Sequence, residues 1–517
     1  MNMLIKSLRW FDDHILKILV FGYIIIIPLL FKLPFTNVEY TYIHLRYEDL
    51  YVLLIAIVYL IQFARRRVVL PRRYTILFGL FWLSMFISFA YGYWIQKTII
   101  IQQLGILFAL RRIEYMLIFF VVYTTTKTKK DFFQYVGLAF VVLAIVSLYG
   151  YGQKLIGLPA VQTMNPEYSR GHILVLDPAV RISSTFSGHY DLSAYIIFLM
   201  PMLLGFYLWT KKKFFFVLFI LSLGTLILAA SRSSYLAYLG TITLFLLYIR
   251  RFKLLILVIL ITAMLTPLSD NLKTRFLSTF QPTSIFIDSL TGDVLVPKET
   301  MDPNVLPPGD FGAGVTVDKT KITPAAKPKK PKVDKKTEEL AKKQLRESLL
   351  AEAAKTGTKL TDLELSQLVD QLFNRQISVQ QYLVDISLST RFQVEWPRAI
   401  NALKKNPILG TGPSSLGEAT DNNFLRWLGE FGLLGTSLLI AIMSEVVKRV
   451  WMKIKTVGKN ESYIYIGFLF GMLGLIVNAT YIDVFDASKV AYTFWLFMGA
   501  FAVIADIKEK NKAKAKS

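Results

Sequence analysis

The stretch Leu192–Ala230 decides the fold class: it reads LSAYIIFLMPMLLGFYLWTKKKFFFVLFILSLGTLILAA, two long apolar runs joined by a short basic turn. A helix that crosses a bilayer needs about 20 predominantly apolar residues. Similar runs recur along the 517 residues, which are 54% hydrophobic and only 18% charged. Soluble domains carry roughly a quarter charged residues. The composition therefore predicts an all-α polytopic membrane protein.

About twelve apolar runs are long enough to be counted as transmembrane helices. The predicted spans are Ile15–Phe31, Leu50–Phe63, Tyr74–Trp94, Ile101–Tyr123, Phe133–Tyr151, Leu192–Trp209, Phe214–Ala230, Tyr235–Ile249, Leu254–Pro267, Phe431–Val447, Tyr463–Ala479 and Val490–Ile507. Met1–His14 is not followed by a small-residue cleavage site, so we interpret the first run as a retained span.

Basic clusters predict the orientation of these spans. They lie between alternate spans, at Arg65–Arg73, Lys127–Lys130, Lys211–Lys213, Arg250–Lys253, Lys448–Lys455 and in the tail from Lys508. Cytoplasmic loops are enriched in Lys and Arg. We therefore expect a plasma (inner) membrane protein with both termini in the cytoplasm.

The formal net charge of +23 is explained by these clusters, and no basic groove with interleaved aromatic residues indicates nucleic-acid binding. The chain contains no cysteine, which excludes disulfides, thiolate nucleophiles and cysteine metal ligands. The expected partners are therefore the lipid bilayer and molecules that reach the membrane surface.

Three regions follow from the predicted spans. Residues 1–267 hold nine spans and an outer loop at 152–191, residues 268–430 form a long extracytoplasmic segment, and residues 431–517 hold three spans and a basic tail. In the long segment, Lys319–Lys336 is a Lys/Pro-rich linker. Two amphipathic helices are predicted after it, over Thr337–Lys355 and after the capping box Thr361–Glu364.

Four segments of the predicted outer face combine charged and hydroxyl side chains, and each has an ordinary structural alternative. Arg181–Asp191 contains His189, but it also fits an interfacial loop whose Asp191 caps the next helix. Ser231–Ser234 (SRSS) fits a phosphate seat at a helix N-terminus, or a tight turn with a snorkelling arginine. The other two are Arg391–Pro413, which ends in a turn, and Thr420–Gly435, in which Asp421 has the setting of a helix N-cap.

The order of these segments resembles the O-antigen ligase family, which includes polysaccharide polymerases. Arg181–Tyr195 (RISSTFSGHYDLSAY) is similar to the segment that opens a mid-chain span in that family, and Ser231–Gly240 (SRSSYLAYLG) to its "SR" turn. Arg391–Pro413 resembles the arginine-to-"nPllGxGp" element that follows a large outer loop, and Asp421–Gly435 (DNNFLRWLGEFGLLG) the closing "HNxyLxxlxexGllG" element. Arg111–Tyr115 is similar to an "RxxEY" element. The resemblance covers most of the chain outside Ser284–Tyr382, which we interpret as an insertion.

The resemblance implies a glycosyltransferase that moves glycan from a polyprenyl-diphosphate-linked oligosaccharide to a glycan or lipid-linked acceptor, without metal or cofactor. It implies Asp421 as the base, with His189 as the alternative. The expected diphosphate ligands are Arg232, Arg391 and Arg181, followed by Arg111 and Arg112. Supporting roles are expected for Asn422, Ser231 and Glu114.

One departure from the family pattern affects the expected reaction. Ligases carry His where this chain has Asp421, which favours polymerisation over ligation. Asp483 and Asp486 are near each other in sequence, and helix capping accounts for them without a metal. Two other functions remain open: a transporter or flippase of lipid-linked sugars, and a protein O-oligosaccharyltransferase of the same family.

Overall fold

The structure is a computed structural model that describes residues 2–37, 44–162, 172–176, 181–269, 272, 283–288, 294–295, 361–381, 391–417 and 420–507, together with eight residues between 339 and 350. The basic tail from Lys508 and the predicted linker Lys319–Lys336 lie outside these residues.

Helices make up most of the described chain. They are α1 (Asn2–Leu29), α2 (Tyr47–Ala64), α3 (Arg72–Ala90), α4 (Gln102–Thr125), α5 (Lys129–Ile156), α6 (His189–Thr210), α7 (Lys213–Ala229), α8 (Arg232–Tyr248), α9 (Phe252–Leu265), α10 (Asp362–Arg375), α11 (Trp396–Lys405), α12 (Asn423–Ile454), α13 (Lys459–Ala479) and α14 (Ser488–Asp506). A π-helical turn at Tyr91–Ile95 extends α3.

The apolar pattern predicts helix positions well, and every predicted span overlaps one of these helices. Seven of the helices are long and apolar enough to cross a membrane, judged by length and composition: α2, α3 with its π-helical extension, α5, α6, α12, α13 and α14. The helices α7 and α9 are apolar but shorter. A helical membrane protein is therefore shown, while the total of twelve spans stays a prediction.

The helices α6, α13 and α14 form the centre of the bundle, because most of their residues are buried. On α13, Gly471 allows close contact with α6, since a Cβ atom there would lie 2.2 Å from the Phe198 carbonyl oxygen. By contrast, α2 exposes large apolar side chains such as Leu53 and Leu60. In a membrane this exposed apolar surface faces lipid.

Short strands accompany the helices in the described part of the chain. β1 (Pro34–Asn37) pairs with β2 (His44–Arg46), β3 (Pro159–Gln162) pairs with β4 (His172–Val175), and β5 (Thr283–Asp288) pairs with both β6 (Val294–Leu295) and β7 (Gln376–Gln381). All these pairs are antiparallel. The prediction missed them because strands of two to six residues leave no signal in a search for long apolar runs.

The chain divides into two compact units, one of Met1–Arg275 with Arg391–Ser517 and one of Phe276–Thr390. Residues 391–430 thus belong with the helical bundle, whereas the sequence analysis grouped them with the long outer segment.

Within the second unit, Thr361 and Glu364 form the expected capping box at the start of α10. The described residues between 339 and 350 are helical, and Arg346 contacts Asp362 of α10 at 2.8 Å.

Candidate functional site

Arg391 and Asp421, which the sequence analysis placed in separate segments, are in direct contact. The Nη2 atom of Arg391 donates a hydrogen bond to the Asp421 carboxylate. Arg391 is 2% exposed, its Nε donates to the Tyr481 carbonyl at 3.2 Å, and its guanidinium lies 4.2 Å from the Tyr481 ring centre. Burial lowers the pKa of Arg391, but Asp421 and Tyr481 raise it by more, so the net pKa is above its ordinary value. The arginine is a charged group held at one end of the helices.

The backbone around Asp421 is held by a carboxylate from another segment. The N–H groups of Thr420, Asp421 and Asn422 donate to Asp483 at 2.8, 3.0 and 3.3 Å. Asp421 itself has a φ of 49°, in the left-handed region. Asn422, and not Asp421, is the N-cap of α12, since its Oδ1 accepts from the Leu425 N–H at 3.1 Å. The side chain of Asp421 is therefore free of the capping role predicted as its alternative.

Asp483 and Asp486 also differ from the capping role predicted for them. The N-cap of α14 is Ala487, with no side-chain cap. Asp483 accepts the backbone amides of the Asp421 segment, and Asp486 accepts the side-chain amide of Asn423 at 2.9 Å. Both carboxylates thus join the α13–α14 connection to the start of α12.

A break in α12 at Gly432 helps to position the segment around Asp421. Gly432 has a φ of 62° and a ψ of −166°, which interrupts the helical hydrogen bonds. The turn after α11 supplies replacements: the Leu433 N–H donates to the Pro407 carbonyl at 2.8 Å, and the Gly412 N–H donates to the Glu430 carbonyl at 2.9 Å. Breaks in membrane helices are stable where such partners exist. The predicted turn of Arg391–Pro413 therefore supplies the hydrogen-bond partners that α12 lacks at its break.

A buried cluster of charges lies beneath the Asp421 segment. Arg426, 1% exposed, contacts Asp483 at 2.8 Å and Glu430 at 3.4 Å. Arg112 contacts Glu430 at 2.8 Å and Asp486 at 3.0 Å. Buried charges are stable only when paired and hydrogen-bonded. These contacts give Arg112 a structural role in the cluster, and its binding of diphosphate stays a prediction.

Arg181 and His189 form a second contact near Arg391. An arginine can only donate hydrogen bonds, so the Arg181 Nη1 donates to the Nε2 atom of His189. The lone pair of that nitrogen is engaged, which leaves His189 a poor base while the contact lasts. The Arg181 guanidinium lies 6.0 Å from the Tyr190 ring, and Tyr190 also contributes to the electrostatic setting of Arg391. Tyr190 therefore lies within electrostatic range of Arg391.

Asp191 does not cap α6, because the N-cap is Gly188. Its carboxylate instead accepts from the Ser187 hydroxyl at 3.0 Å and lies 3.9 Å from the Lys32 ammonium.

The SRSS segment is the start of α8, with Ser231 as the N-cap residue and Arg232 as the first helical residue. The Ser231 hydroxyl donates to Ser234 at 2.8 Å, and Ser234 donates to the Asn478 side-chain oxygen at 3.2 Å. Asn478 lies near the end of α13, three residues before the tyrosine that contacts Arg391. The end of α13 therefore touches both the SRSS segment and the arginine.

Arg111 and Glu114 lie in another group of contacts. Arg111 contacts Asp49 at 3.4 Å, and Glu114 accepts a hydrogen bond from the Tyr492 hydroxyl. These contacts join α4 to α2 and α14. A role of Arg111 in diphosphate binding and of Glu114 in support has no geometric backing.

Among the residues that the structure describes, no group of three or more His, Cys, Asp or Glu side chains is arranged to hold a metal ion. Comparison with protein-family models, curated proteins and solved structures found no match to this chain. The resemblance to the O-antigen ligase family rests on the motifs alone.

Sequence reasoning missed residues that build the site from other segments. Tyr481 and Asp483 lie 90 and 63 residues from the groups they bind. Arg426 and Glu430 were quoted only as part of a motif, although their i,i+4 spacing indicates that the two charges share a helix face.

Proposed function

We propose that this chain is a membrane glycosyltransferase that transfers or polymerises glycan from a polyprenyl-diphosphate-linked donor at the extracytoplasmic surface. Arg391 binds the donor diphosphate, with Arg181 and Arg232 as further cations, and Asp421 is the base. The observation that carries the proposal is the direct contact between Arg391 and Asp421, because it brings a phosphate-binding group and a proton acceptor to one point.

The contact also requires an order of events. In the structure, the Asp421 carboxylate accepts the hydrogen bond from the Arg391 guanidinium that the diphosphate would accept. A diphosphate carries more negative charge than one carboxylate and forms bidentate contacts with arginine. The donor therefore displaces Asp421, and a carboxylate that has lost its cation attracts a proton more strongly.

In the transfer step, one bond forms, one bond breaks and one proton moves to the protein. The acceptor hydroxyl oxygen forms a bond to the anomeric carbon of the donor sugar, and the bond from that carbon to the phosphate oxygen breaks. The electron pair leaves with polyprenyl diphosphate, whose charge Arg391 stabilises. The hydroxyl proton passes to Asp421.

The test uses purified protein with a polyprenyl-diphosphate oligosaccharide and measures released polyprenyl diphosphate. Asp421→Asn should lower transfer by ~10²–10⁴-fold, the range for loss of a general base, while donor binding becomes tighter because Arg391 loses its competing carboxylate. Arg391→Ala should weaken donor binding by roughly 10- to 100-fold, since it removes a charge-assisted contact. Lys404→Gln, an exposed lysine at the end of α11, is the matched control and should change neither quantity.

Two outcomes contradict the proposal in different ways. Wild-type protein that releases no polyprenyl diphosphate with any acceptor overturns glycosyl transfer. Movement of an intact lipid-linked oligosaccharide across proteoliposomes would then support the transporter. Full transfer by Asp421→Asn would instead remove Asp421 as the base and move that role to His189.

A further inference from the structure

The Asp483 carboxylate sits in a concave arrangement of backbone donors. Its two oxygens accept the N–H groups of three consecutive residues, Thr420, Asp421 and Asn422. Consecutive backbone amides that converge in this way form an anion-binding nest. Here the bound anion is part of the chain itself, supplied by the connection between α13 and α14.

Arg426 makes this buried carboxylate stable. Its Nη1 donates to the Oδ2 atom of Asp483 at 2.8 Å, and its Nη2 donates to the Gly417 carbonyl at 2.9 Å. Asp483 thus accepts contacts from two sides, the nest and the guanidinium. An aspartate fixed on both sides can hold a neighbouring backbone in one conformation, including the left-handed conformation of Asp421.

The direction of the Asp421 side chain depends on that conformation. If the nest opens, the backbone at 421 is free to return to a region of lower energy, which turns the Cα–Cβ bond away from Arg391. Asp486 makes different contacts: it accepts from the side-chain amide of Asn423 and pairs with Arg112 and Arg426.

We propose that Asp483 is a positioning residue, which holds Asp421 at the donor phosphate site by filling the backbone nest of residues 420–422. This role rests on the proposed function for its effect on transfer, but the nest can be tested without activity. Asp483 does not touch the reacting atoms and acts only through the backbone.

Amide hydrogen exchange on the full-length protein in detergent micelles tests the nest directly. Asp483→Asn alone leaves the buried Arg426 cation without its closest carboxylate, so the main variant is Asp483→Asn with Arg426→Gln. The amides of residues 420–422 should exchange ~10- to 100-fold faster in this variant, the effect of losing a charge-assisted hydrogen bond. Asp486→Asn removes a carboxylate of the same cluster and should leave these amides unchanged.

The second readout separates positioning from general weakening. In the double variant, kcat for transfer should fall ~10- to 100-fold while KM for the donor does not rise, because Arg391 stays in place and Asp421 competes with the donor less. Asp486→Asn should retain most of kcat. Fast exchange with unchanged kcat would overturn positioning, and unchanged exchange would overturn the nest itself. If wild-type protein catalyses no transfer, the proposed function fails and the exchange result still decides the nest.

Should the double variant not fold, Arg426→Gln alone is the second route. It keeps the nest carboxylate and removes only its cation. Residues 420–422 should then exchange at an intermediate rate, faster than in Asp486→Asn. Exchange equal to that of Asp486→Asn would contradict the coupling of Arg426 to the nest.

Discussion

At the scale of single residues, the setting of Asp421 separates two roles that the sequence left together. Its local pattern predicted a helix cap and the family resemblance implied a base, and the structure gives the cap to Asn422. The carboxylate of Asp421 is directed to Arg391 and is about a quarter exposed. A residue in this position competes with any anion that approaches the arginine.

Because Asp421 competes with phosphate for Arg391, removal of the Asp421 charge should raise the affinity for diphosphate. Asp421→Asn should bind inorganic diphosphate about 10-fold more tightly than wild type, since an amide holds the Arg391 guanidinium less strongly than a carboxylate does. Isothermal titration in detergent measures the change. Asp370→Asn removes one negative charge from the second unit and should leave the affinity unchanged. Equal or weaker binding by Asp421→Asn would show that the carboxylate does not occupy the phosphate site.

Arg112 predicts how much the buried cluster contributes to stability. Arg112→Met removes the closer of the two cations that pair with Glu430 and Asp486 and leaves both carboxylates to Arg426 alone, which should lower the free energy of unfolding by about 3–5 kcal/mol. Arg73→Met breaks an exposed pair with Glu445 and should cost at most about 1 kcal/mol. Denaturant titration in mixed micelles compares them. Equal losses would contradict the structural role given to Arg112.

At the scale of elements, long apolar runs predicted helix positions because a membrane span has to bury its own backbone polar groups. A search for such runs does not detect the short strands, because the hydrogen bonds of a strand are made with another segment. The candidate site shows a similar limit. The motifs predicted Arg391 and Asp421, but Tyr481 and Asp483 contact them from segments far away in the sequence. No periodicity encodes such contacts.

The break in α12 yields a prediction at this scale. Gly432→Ala should destabilise the protein by more than about 2 kcal/mol, because its φ is positive and an added Cβ would lie 2.3 Å from the Ile408 carbonyl oxygen. Gly240→Ala, in the interior of α8 with open space at its Cβ, should be neutral or stabilise by up to about 1 kcal/mol. Thermal unfolding in detergent distinguishes the two. A tolerated Gly432→Ala would mean that α12 does not need the break.

At the scale of the whole molecule, the orientation predicted from basic clusters can be checked with unusual ease, since the chain has no cysteine. Lys212→Cys, between α6 and α7, should be protected from a membrane-impermeant maleimide in intact cells. Lys343→Cys, in the unit Phe276–Thr390, should be labelled without permeabilisation. Both lysines are exposed, so a reversed labelling pattern would overturn the orientation.

The left-handed backbone at position 421 also limits what evolution or a designer can install there. Among residues other than glycine, Asn, Asp and His adopt this conformation most readily. A glutamate offers the same carboxyl group as an aspartate but is less well suited to the backbone. Asp and His can thus both occupy position 421 on this backbone, although their ordinary pKa values differ by more than two units. Under the proposed mechanism, Asp421→His would therefore move the pH dependence of transfer toward neutral pH.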